Sequence, residues 1–360
     1  MKDKILAAMS GGVDSSVAAA ILRSDFDVVG VTLKHFDLPE LLDPQSRTCC
    51  TLSDTEDARA VANFLGIPHY VFNYTEHFKK HVIDQFVGAY VKGLTPNPCI
   101  LCNRHIRFDE LFRQAQQLGI KNIATGHYVR SGYDAERQRW FLKKAADPTK
   151  DQSYVLYSIG QPQLESFRFP LGGFTKAEIR TMAEGLGLKT AAKPDSQDIC
   201  FVPDGDYAAF VRRNCGEEIA PGDFISADGK VLGRHEGIIA YTIGQRRGTN
   251  LALNSRAYVV GKDPISNTVT IGPNEALFSR ALKATDINWV SHENPHTPFE
   301  VAAKTRYKSQ FAPALATPQA DGSLILEFLE PQRAVTPGQA VVLYDGDYLV
   351  AGGTITAAIK

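Results

Sequence analysis

The sequence predicts an α/β protein: a parallel-sheet domain over residues 1–204, a small central β-rich domain over 205–280 and a β-barrel over 281–360. Three observations lead there. Strand-like and helix-like patterns alternate through the first half of the chain, the rhythm of a parallel sheet with helices on both faces. After about residue 204 the pattern turns to short β-branched stretches between Gly, Pro, Asn and Asp turns, as in small barrels or sandwiches. The length of 360 residues also exceeds the roughly 250–300 at which a single core stops growing.

The elements follow in order. Ile5 to Met9 is an apolar run that reads as a first strand, and Asp14 to Ser24 carries Val17, Ile21 and Leu22 at helical spacing. Val28 to Leu33 is a second buried strand. Ser53 and Glu56 form a capping-box pattern that opens a helix with Ala58, Val61, Ala62 and Leu65 on one side and Gly66 at its end. Tyr70 to Phe72 is a third strand, 76–92 a helix, 104–118 another helix, and Asn122 to Thr125 a further strand. Beyond 204, an Asp228-Gly229 turn precedes strand patterns at 237–239, 258–261 and 269–273, then at 299–304, 324–328 and 340–344. The segment 292–298, with two prolines, reads as a surface loop.

Composition narrows the class. With 44% hydrophobic and 22% charged residues the chain is of ordinary globular type, which excludes wholesale disorder and collagen-like repeats. No apolar run approaches the ~18 residues that span a bilayer, so no membrane association is expected. The balance of 39 Lys and Arg against 40 Asp and Glu, a formal net charge of −1, argues against a purely electrostatic nucleic-acid binder but leaves room for a local basic surface. Six cysteines are too sparse for a disulfide-stapled secreted fold. A cleaved export signal of about 15–30 residues would remove the first strand and the loop after it. The expected compartment is therefore the reducing cytoplasm, where paired cysteines point to catalysis or metal.

Ser10-Gly11-Gly12-Val13-Asp14-Ser15 lies between a strand and a helix, where backbone N–H groups and the helix N-terminus gather around a phosphate. The glycines allow close approach, the serine hydroxyls add donors, and Asp14 can hold Mg²⁺ against the phosphates. No Gly-Lys-Ser/Thr follows, so this is not a Walker loop. The hexapeptide resembles the loop of the PP-loop ATP pyrophosphatases, which adenylate a carbonyl or carboxylate oxygen and release pyrophosphate.

The cysteines stand at 49, 50, 99, 102, 200 and 215. Thr95-Pro96-Asn97-Pro98-Cys99-Ile100-Leu101-Cys102-Asn103 is a proline-stiffened stretch running into the 104–118 helix. A thiol in a helix first turn beside Arg104 and Arg107 has its thiolate favoured by dipole and charge. A C-x-x-C also suits a metal or a redox disulfide. Cys200 sits in a polar stretch, Asp195-Ser196-Gln197-Asp198-Ile199-Cys200-Phe201.

Seven motifs now stand in order: the Ser-Gly-Gly-Val-Asp-Ser-Ser loop, the Thr95–Asn103 stretch, Ala-Thr-Gly-His-Tyr at 124–128, Lys-Asp-Gln-Ser-Tyr at 150–154, the 195–201 stretch, Tyr-Thr-Ile-Gly-Gln-Arg-Arg-Gly at 241–248, and Glu-Pro-Gln-Arg-Ala-Val-Thr-Pro-Gly-Gln at 330–339. Together they resemble the bacterial tRNA-uridine 2-sulfurtransferases of the MnmA/TrmU type, over essentially the whole chain. The resemblance implies ATP-dependent insertion of sulfur at C2 of the wobble uridine of tRNAs for Lys, Glu and Gln. It implies Cys102 as nucleophile and Cys200 as persulfide carrier. It places Ala8, Met9, Ser10, Gly11, Gly12, Val13, Asp14, Ser15, Leu33 and Gly126 at ATP, with Leu33 standing where many members have Met. Asn97, Pro98 and Cys99 match the stretch facing the target base. His127, Lys150, Asp151, Gln152, Arg306, Tyr307 and Gln339 match tRNA contacts. A cysteine desulfurase or a sulfur-relay protein is the implied donor. Many members carry Asp where this chain has Cys99, so a general base proposed there has no counterpart, and the Cys49-Cys50 pair is missing from part of the family.

The chemistry can be argued without the family. A uridine C2 carbonyl has a poor leaving group; transfer of AMP to that oxygen creates a good one, which an activated sulfur can displace. A persulfide supplies that sulfur, and a second thiol is needed to split its S–S bond or to liberate sulfide, leaving a Cys102–Cys200 disulfide. The Cys200 loop is expected to move or order when tRNA binds. Four alternatives stand beside this: an iron–sulfur cluster held by Cys99, Cys102 and Cys200 whose open iron carries sulfide; a zinc site from Cys49, Cys50, Cys99 and Cys102; another PP-loop ligase using ammonia, which leaves the cysteines unexplained; and a non-catalytic RNA-binding module, which leaves the ATP loop unused.

Charge is local. Residues 101–150 hold ten Lys and Arg against five Asp and Glu, a net of +5. Arg246-Arg247 and the alternating Lys304, Arg306 and Lys308 with Tyr307 add two smaller clusters. Such groups are expected to neutralise phosphates, with Tyr or His stacking on a splayed base.

Overall fold

The computed structural model describes residues 2–36, 52–194, 199–253 and 255–360. The first part of the chain runs through β1 (Lys4–Ala8), α1 (Val13–Leu22), β2 (Asp27–Lys34), α2 (Leu52–Leu65), β3 (His69–Asn73), α3 (residues 75–91), α4 (residues 98–117) and β4 (Asn122–Ala124). A hairpin of β5 (Arg130–Asp134) and β6 (Arg139–Lys143) follows, then α5 (Gln161–Ser166), β7 (Phe167–Arg168) and α6 (Lys176–Gly185). Five of these strands form an all-parallel sheet in the order β3-β2-β1-β4-β7. Alternation along β1 divides the interior: Ile5 and Ala7, with Met9 just beyond, pack with α1, α2 and α6, whereas Leu6 faces the larger core with α3 and α4. A strand covered on both faces must be apolar throughout, which is why β1 is a continuous run. The strand order reverses direction beside β1, and the crevice beyond the carboxyl ends of β1 and β4 is the topological switch point where open α/β sheets bind ligands.

Both long helices carry a π-helical stretch in mid-course, Lys79–Ile83 in α3 and Asn103–Glu110 in α4. Helix α4 begins earlier than its sequence pattern predicts, at Pro98. Asn97 is the N-cap, its side-chain oxygen accepting the Cys99 N–H at 3.1 Å, and Pro98 takes the first helical position, where its missing N–H costs nothing. The C-x-x-C therefore lies inside the helix. The helix expected to open at Ser53 is already helical at Leu52. A capping box is formed by Thr175 with Glu178 at the head of α6.

The second part comprises α7 (Tyr207–Asn214) and a four-stranded sheet of β8 (Gly222–Ser226), β9 (Val231–His235), β10 (Tyr258–Asp263) and β11 (Thr268–Gly272), ordered β10-β11-β8-β9. The strand expected at 237–239 is instead a short 3₁₀ turn, Ile238–Ala240. Gly237 has φ +128° and a Cβ there would stand 2.4 Å from Ile219, so the chain turns where the apolar pattern alone reads as strand. The third part is a closed antiparallel barrel of β12 (Phe278–Trp289), β13 (Phe299–Lys304), β14 (Ala312–Pro318), β15 (Leu324–Arg333), β16 (Ala340–Asp345) and β17 (Tyr348–Ile359), with β12 pairing both β15 and β17. Leu282, Val301, Leu326, Val341 and Leu343 fill its interior beside alanines. The segment 292–298 is a loop, as expected.

The β5–β6 hairpin, which periodicity misses, leaves the first part and joins the barrel where Lys143 pairs with Tyr348. It carries much of the basic segment into that seam. Arg130 binds the Asp347 carboxylate at 2.8 Å, Arg139 donates to the carbonyls of Trp289 and Val290 at 2.9 Å, and Lys144 donates to the Gly346 carbonyl at 2.8 Å. From α4, Arg104 pairs with Asp286 in the barrel.

Candidate active site

The Ser10–Ser15 loop closes on itself at the carboxyl end of β1. Ser15 Oγ accepts the Ser10 N–H at 3.1 Å, and the Ser16 hydroxyl donates to the Gly12 carbonyl at 2.8 Å. Gly11 has φ +72°, and a Cβ there would lie 2.2 Å from the Asp54 carbonyl oxygen at the head of α2. Gly126, just past β4, is needed for the same reason, since a Cβ would come within 2.9 Å of the Ser15 nitrogen. The loop opens on a cleft of about 370 Å³, of ligand-pocket size. Ala8, Met9, Ser10, Gly12, Val13, Asp14, Ser15, Leu33 and Gly126 line it, as do His127, Lys150, Gln152 and Tyr307 from the residues expected at tRNA. Gly11 is not among the lining residues. Asn97, Pro98, Cys99, Cys102, Asp151, Cys200, Arg306 and Gln339 lie outside it.

Two lysines without any sequence motif hold carboxylates of the cleft. Lys176 reaches both Asp14 oxygens, at 2.7 and 2.8 Å, and the Tyr128 hydroxyl donates to the same carboxylate at 2.7 Å. Lys193 binds Asp54 at 2.6 Å, Asp57 at 2.7 Å and the Gly11 carbonyl at 3.2 Å. It ties the phosphate loop to α2, and burial of its ammonium is outweighed by these two carboxylates, which raise its pKa. The carboxylates facing the cleft are thus each held by a lysine, and a divalent cation at Asp14 would compete with Lys176.

His127 is buried, with Nδ1 2.8 Å from the Thr125 hydroxyl and its ring against Phe108 and Phe169. Burial first, and Arg107 second, pull its pKa down to about 3. The unfolded chain, with His near 6.5, then binds the extra proton between about pH 3 and 6.5. Stability from this residue is fully present above pH 6.5 and is lost as pH falls through that window. His127→Gln is expected to flatten the acid limb of a denaturation-versus-pH curve by about one proton, up to ~1.4 kcal/mol per pH unit. An unchanged slope would show that His127 protonates freely in the fold.

The remaining predicted residues sit at a junction of all three parts. Gln339 Nε2 donates to the Thr95 carbonyl at 2.8 Å, Thr95 N–H donates to the Pro337 carbonyl at 3.1 Å, and a Cβ on Gly338 would meet the Thr95 nitrogen at 2.8 Å. The barrel turn thus props the loop that leads into the C-x-x-C. Arg306 donates to the Ile243 and Ala334 carbonyls at 3.2 and 2.7 Å and to Thr336 Oγ1 at 2.6 Å, cross-linking the 241–248 and 330–339 motifs. Tyr307 donates to the Asp151 carbonyl at 3.3 Å. The Asp151 carboxylate accepts from the Ala145 and Ser153 backbone N–H groups, and Gln152 Oε1 accepts the Tyr128 N–H.

Cys99 is exposed, while Cys102 and Cys200 are half-buried and border the same core. Phe201 anchors the Cys200 segment, packing against Phe78, Phe86 and Phe210. Cys215 donates to the Glu217 carbonyl, as suits a structural thiol. Cys49, Cys50 and Asp195 to Asp198 lie outside the described residues. Among the described residues, no three His, Cys, Asp or Glu side chains stand as a formed metal-ligand set, Cys99, Cys102 and Cys200 included. No helix among them is long and apolar enough to cross a membrane.

Comparison with known proteins adds a family to this geometry. Residues 3–204 match the family described as tRNA methyl transferase HUP domain, 208–273 the tRNA methyl transferase PRC-barrel domain, and 279–355 the aminomethyltransferase beta-barrel domain. The chain is 49% identical over 363 residues to the tRNA-specific 2-thiouridylase MnmA of Desulforamulus reducens, covering 100% of this chain and 99% of that protein. It is 48% identical over 356 residues to the protein of the same name from Acetivibrio thermocellus, covering 98% and 99%. The Pelotomaculum thermopropionicum protein of that name is 47% identical over 356 residues, covering 98% and 97%.

Proposed function

The chain belongs to the tRNA-specific 2-thiouridylase MnmA family and is a tRNA-uridine 2-sulfurtransferase, and from that membership we propose that it thiolates the wobble uridine of tRNAs for Lys, Glu and Gln through an adenylated C2 oxygen and a Cys200 persulfide. The observation that carries this reading is the single cleft shared by the phosphate loop with His127, Lys150, Gln152 and Tyr307. A nucleotide and a splayed base can meet only in such a common space.

The loop suits the triphosphate of ATP, a substrate of the reaction: Gly12, Val13, Asp14 and Ser15 line the cleft at the head of α1, where a helix N-terminus favours phosphate, and the absence of a side chain at Gly126 lets the chain beyond β4 pack closely against Ser15. Mg²⁺ would be held through Asp14 together with the phosphates, screening their charge. The uridine O2 attacks the α-phosphorus and pyrophosphate departs. The terminal sulfur of the Cys200 persulfide then attacks C2, and AMP leaves with the former O2. The Cys102 thiolate attacks Cys200 Sγ, the S–S bond electrons pass to the departing sulfur to form C2=S, and a Cys102–Cys200 disulfide remains for an external thiol to reduce. A cysteine desulfurase or sulfur-relay protein reloads Cys200 in the cytoplasm. His127, neutral by burial, offers hydrogen bonds without charge.

The test is an unmodified tRNA transcript incubated with ATP, Mg²⁺ and a sulfur donor, with nucleoside mass spectrometry and assay of AMP and pyrophosphate. 2-Thiouridine at the wobble position with one AMP per sulfur is expected. Sulfur insertion without AMP release would sink the adenylation step.

The tRNA affinity should fall as salt rises. Arg246 and Arg247 are exposed, so Arg246→Ala/Arg247→Ala is expected to shallow the plot of log affinity against log salt by about 1–2 units. Arg104→Ala should leave the slope nearly unchanged, because Arg104 is already paired with Asp286. Filter binding from low to moderate salt checks both; equal effects would overturn the distinction.

A further inference from the structure

Strand β13 ends at Lys304. Alternation along it turns Val301 and Ala303 into the barrel and Ala302 onto the larger core, so Lys304 leaves the strand on the outer face with Ala302. Its half-buried ammonium stands 5.2 Å from the centre of the Phe311 ring, 5.8 Å from Tyr307 and 6.0 Å from Tyr154. Among the described residues it donates no hydrogen bond and makes no ion pair. Lys144 stands 4.0 Å from the same Phe311 ring, held there by the Gly346 carbonyl at 2.8 Å. The carboxylate acting on Lys304 is that of Asp151, which already accepts from the Ala145 N–H and from the backbone and hydroxyl of Ser153. Burial lowers the Lys304 pKa; Asp151 opposes this and Lys144 adds to it. Two ammonium groups on one ring, neither in an ion pair among the described residues, form a notch that an anion would complete.

We propose that Lys304, with Lys144 beside it, binds the tRNA phosphodiester that adjoins the target uridine. The inference rests on the tRNA reading above and says which side chains take the backbone at that point. Position selects the ligand. Tyr307 lines the cleft and is also one of the rings around Lys304, so a base turned into the cleft leaves its own phosphate at the notch. Tyr307 and Phe311 are 39% and 40% exposed, which keeps the notch open to a strand of RNA. An ammonium suits a single phosphodiester as a point charge with three donors. Arg306, two positions on, is less available, because its Nη2 is committed to the Ile243 and Ala334 carbonyls and to Thr336.

The experiment measures filter binding of the full chain to tRNAs ligated from synthetic fragments. Each carries one uncharged methylphosphonate linkage, 5′ or 3′ of the target uridine, with a 2′-O-methyl group on the nucleotide before it. Control tRNAs keep the 2′-O-methyl group and the ordinary phosphodiester. One of the two replacements is expected to weaken binding to the wild-type protein about tenfold, the size of one phosphate contact. Lys304→Met keeps the apolar stem against the rings. It is expected to weaken binding of the control tRNA about tenfold, to lower the salt slope by about 1 and to leave ATP affinity unchanged. It should bind the methylphosphonate tRNA no worse than the control, and Lys304→Arg should restore part of the loss. Full-strength binding of both methylphosphonate tRNAs by the wild-type protein would overturn the site, whatever the folding of the variants. Losses from Lys304→Met and from the methylphosphonate that multiply would overturn it too. Failure of the thiolation reading shows separately, as an unmodified transcript that is bound with ATP and a sulfur donor but gains no 2-thiouridine.

Discussion

Cys102→Ser and Cys200→Ser proteins are each expected to bind ATP like the wild type and to make no 2-thiouridine. Neither thiol lines the nucleotide cleft, so serine leaves the phosphate loop untouched. A serine hydroxyl neither carries a persulfide nor splits one at neutral pH. The loss should reach the ~10³-fold or greater scale of removing a reacting nucleophile. Calorimetry with ATP and mass spectrometry of the tRNA nucleosides read the two halves separately. Cys99→Ser separates the routes. Under the two-thiol route its activity is largely kept, whereas a cluster held by Cys99, Cys102 and Cys200 loses a ligand and fails. A colourless, iron-free preparation with full activity would likewise exclude the cluster.

Gly11→Ala is the second large effect. An L-residue at φ +72° costs roughly 1–2 kcal/mol. The new methyl would also stand 2.2 Å from a backbone oxygen of Asp54, which cannot rotate away as a side chain can. Either the loop or the head of α2 must shift by more than an ångström, pulling Lys193 off Gly11. ATP affinity is expected to fall about 100-fold, ~2.7 kcal/mol, with a lower apparent unfolding temperature. Gly12→Ala is the control for folding: its φ is −90° and its Cβ would meet nothing nearer than Ser10 Oγ at 3.7 Å. Equal thermal destabilisation by both variants would refute the close-approach explanation.

Much of the fold was legible because its signals are local. Continuous apolar strands, helical spacing and a Gly-Gly turn at a strand end can be read without knowing what lies opposite. The hairpin β5–β6 was not, because Arg130–Asp134 carries one aromatic residue among polar ones and Arg139–Lys143 holds its three apolar residues in a row with no alternation, and it is held by the barrel rather than by its own pattern. The +5 segment shows the same limit. Counted along the chain it reads as an RNA surface, yet Arg104, Arg130, Arg139 and Lys144 point into the seam with residues 286–347. Lys176 and Lys193 carry no motif, since their importance comes from carboxylates more than a hundred positions away.

The sequence by itself determined the fold class, the phosphate loop, the C-x-x-C and the motif order that marks the family, because each is written in spacings of a few residues. Only the tertiary structure decided which charges are already paired, which lysines hold the loop, that Gln339 braces the approach to Cys102 and that Arg306 ties the 241–248 and 330–339 stretches together. It alone set Lys144 and Lys304 on one Phe311 ring. The physical reason is that hydrogen bonds and ion pairs act over about 3 Å in space, and packing brings to that distance residues whose separation in sequence carries no trace of it.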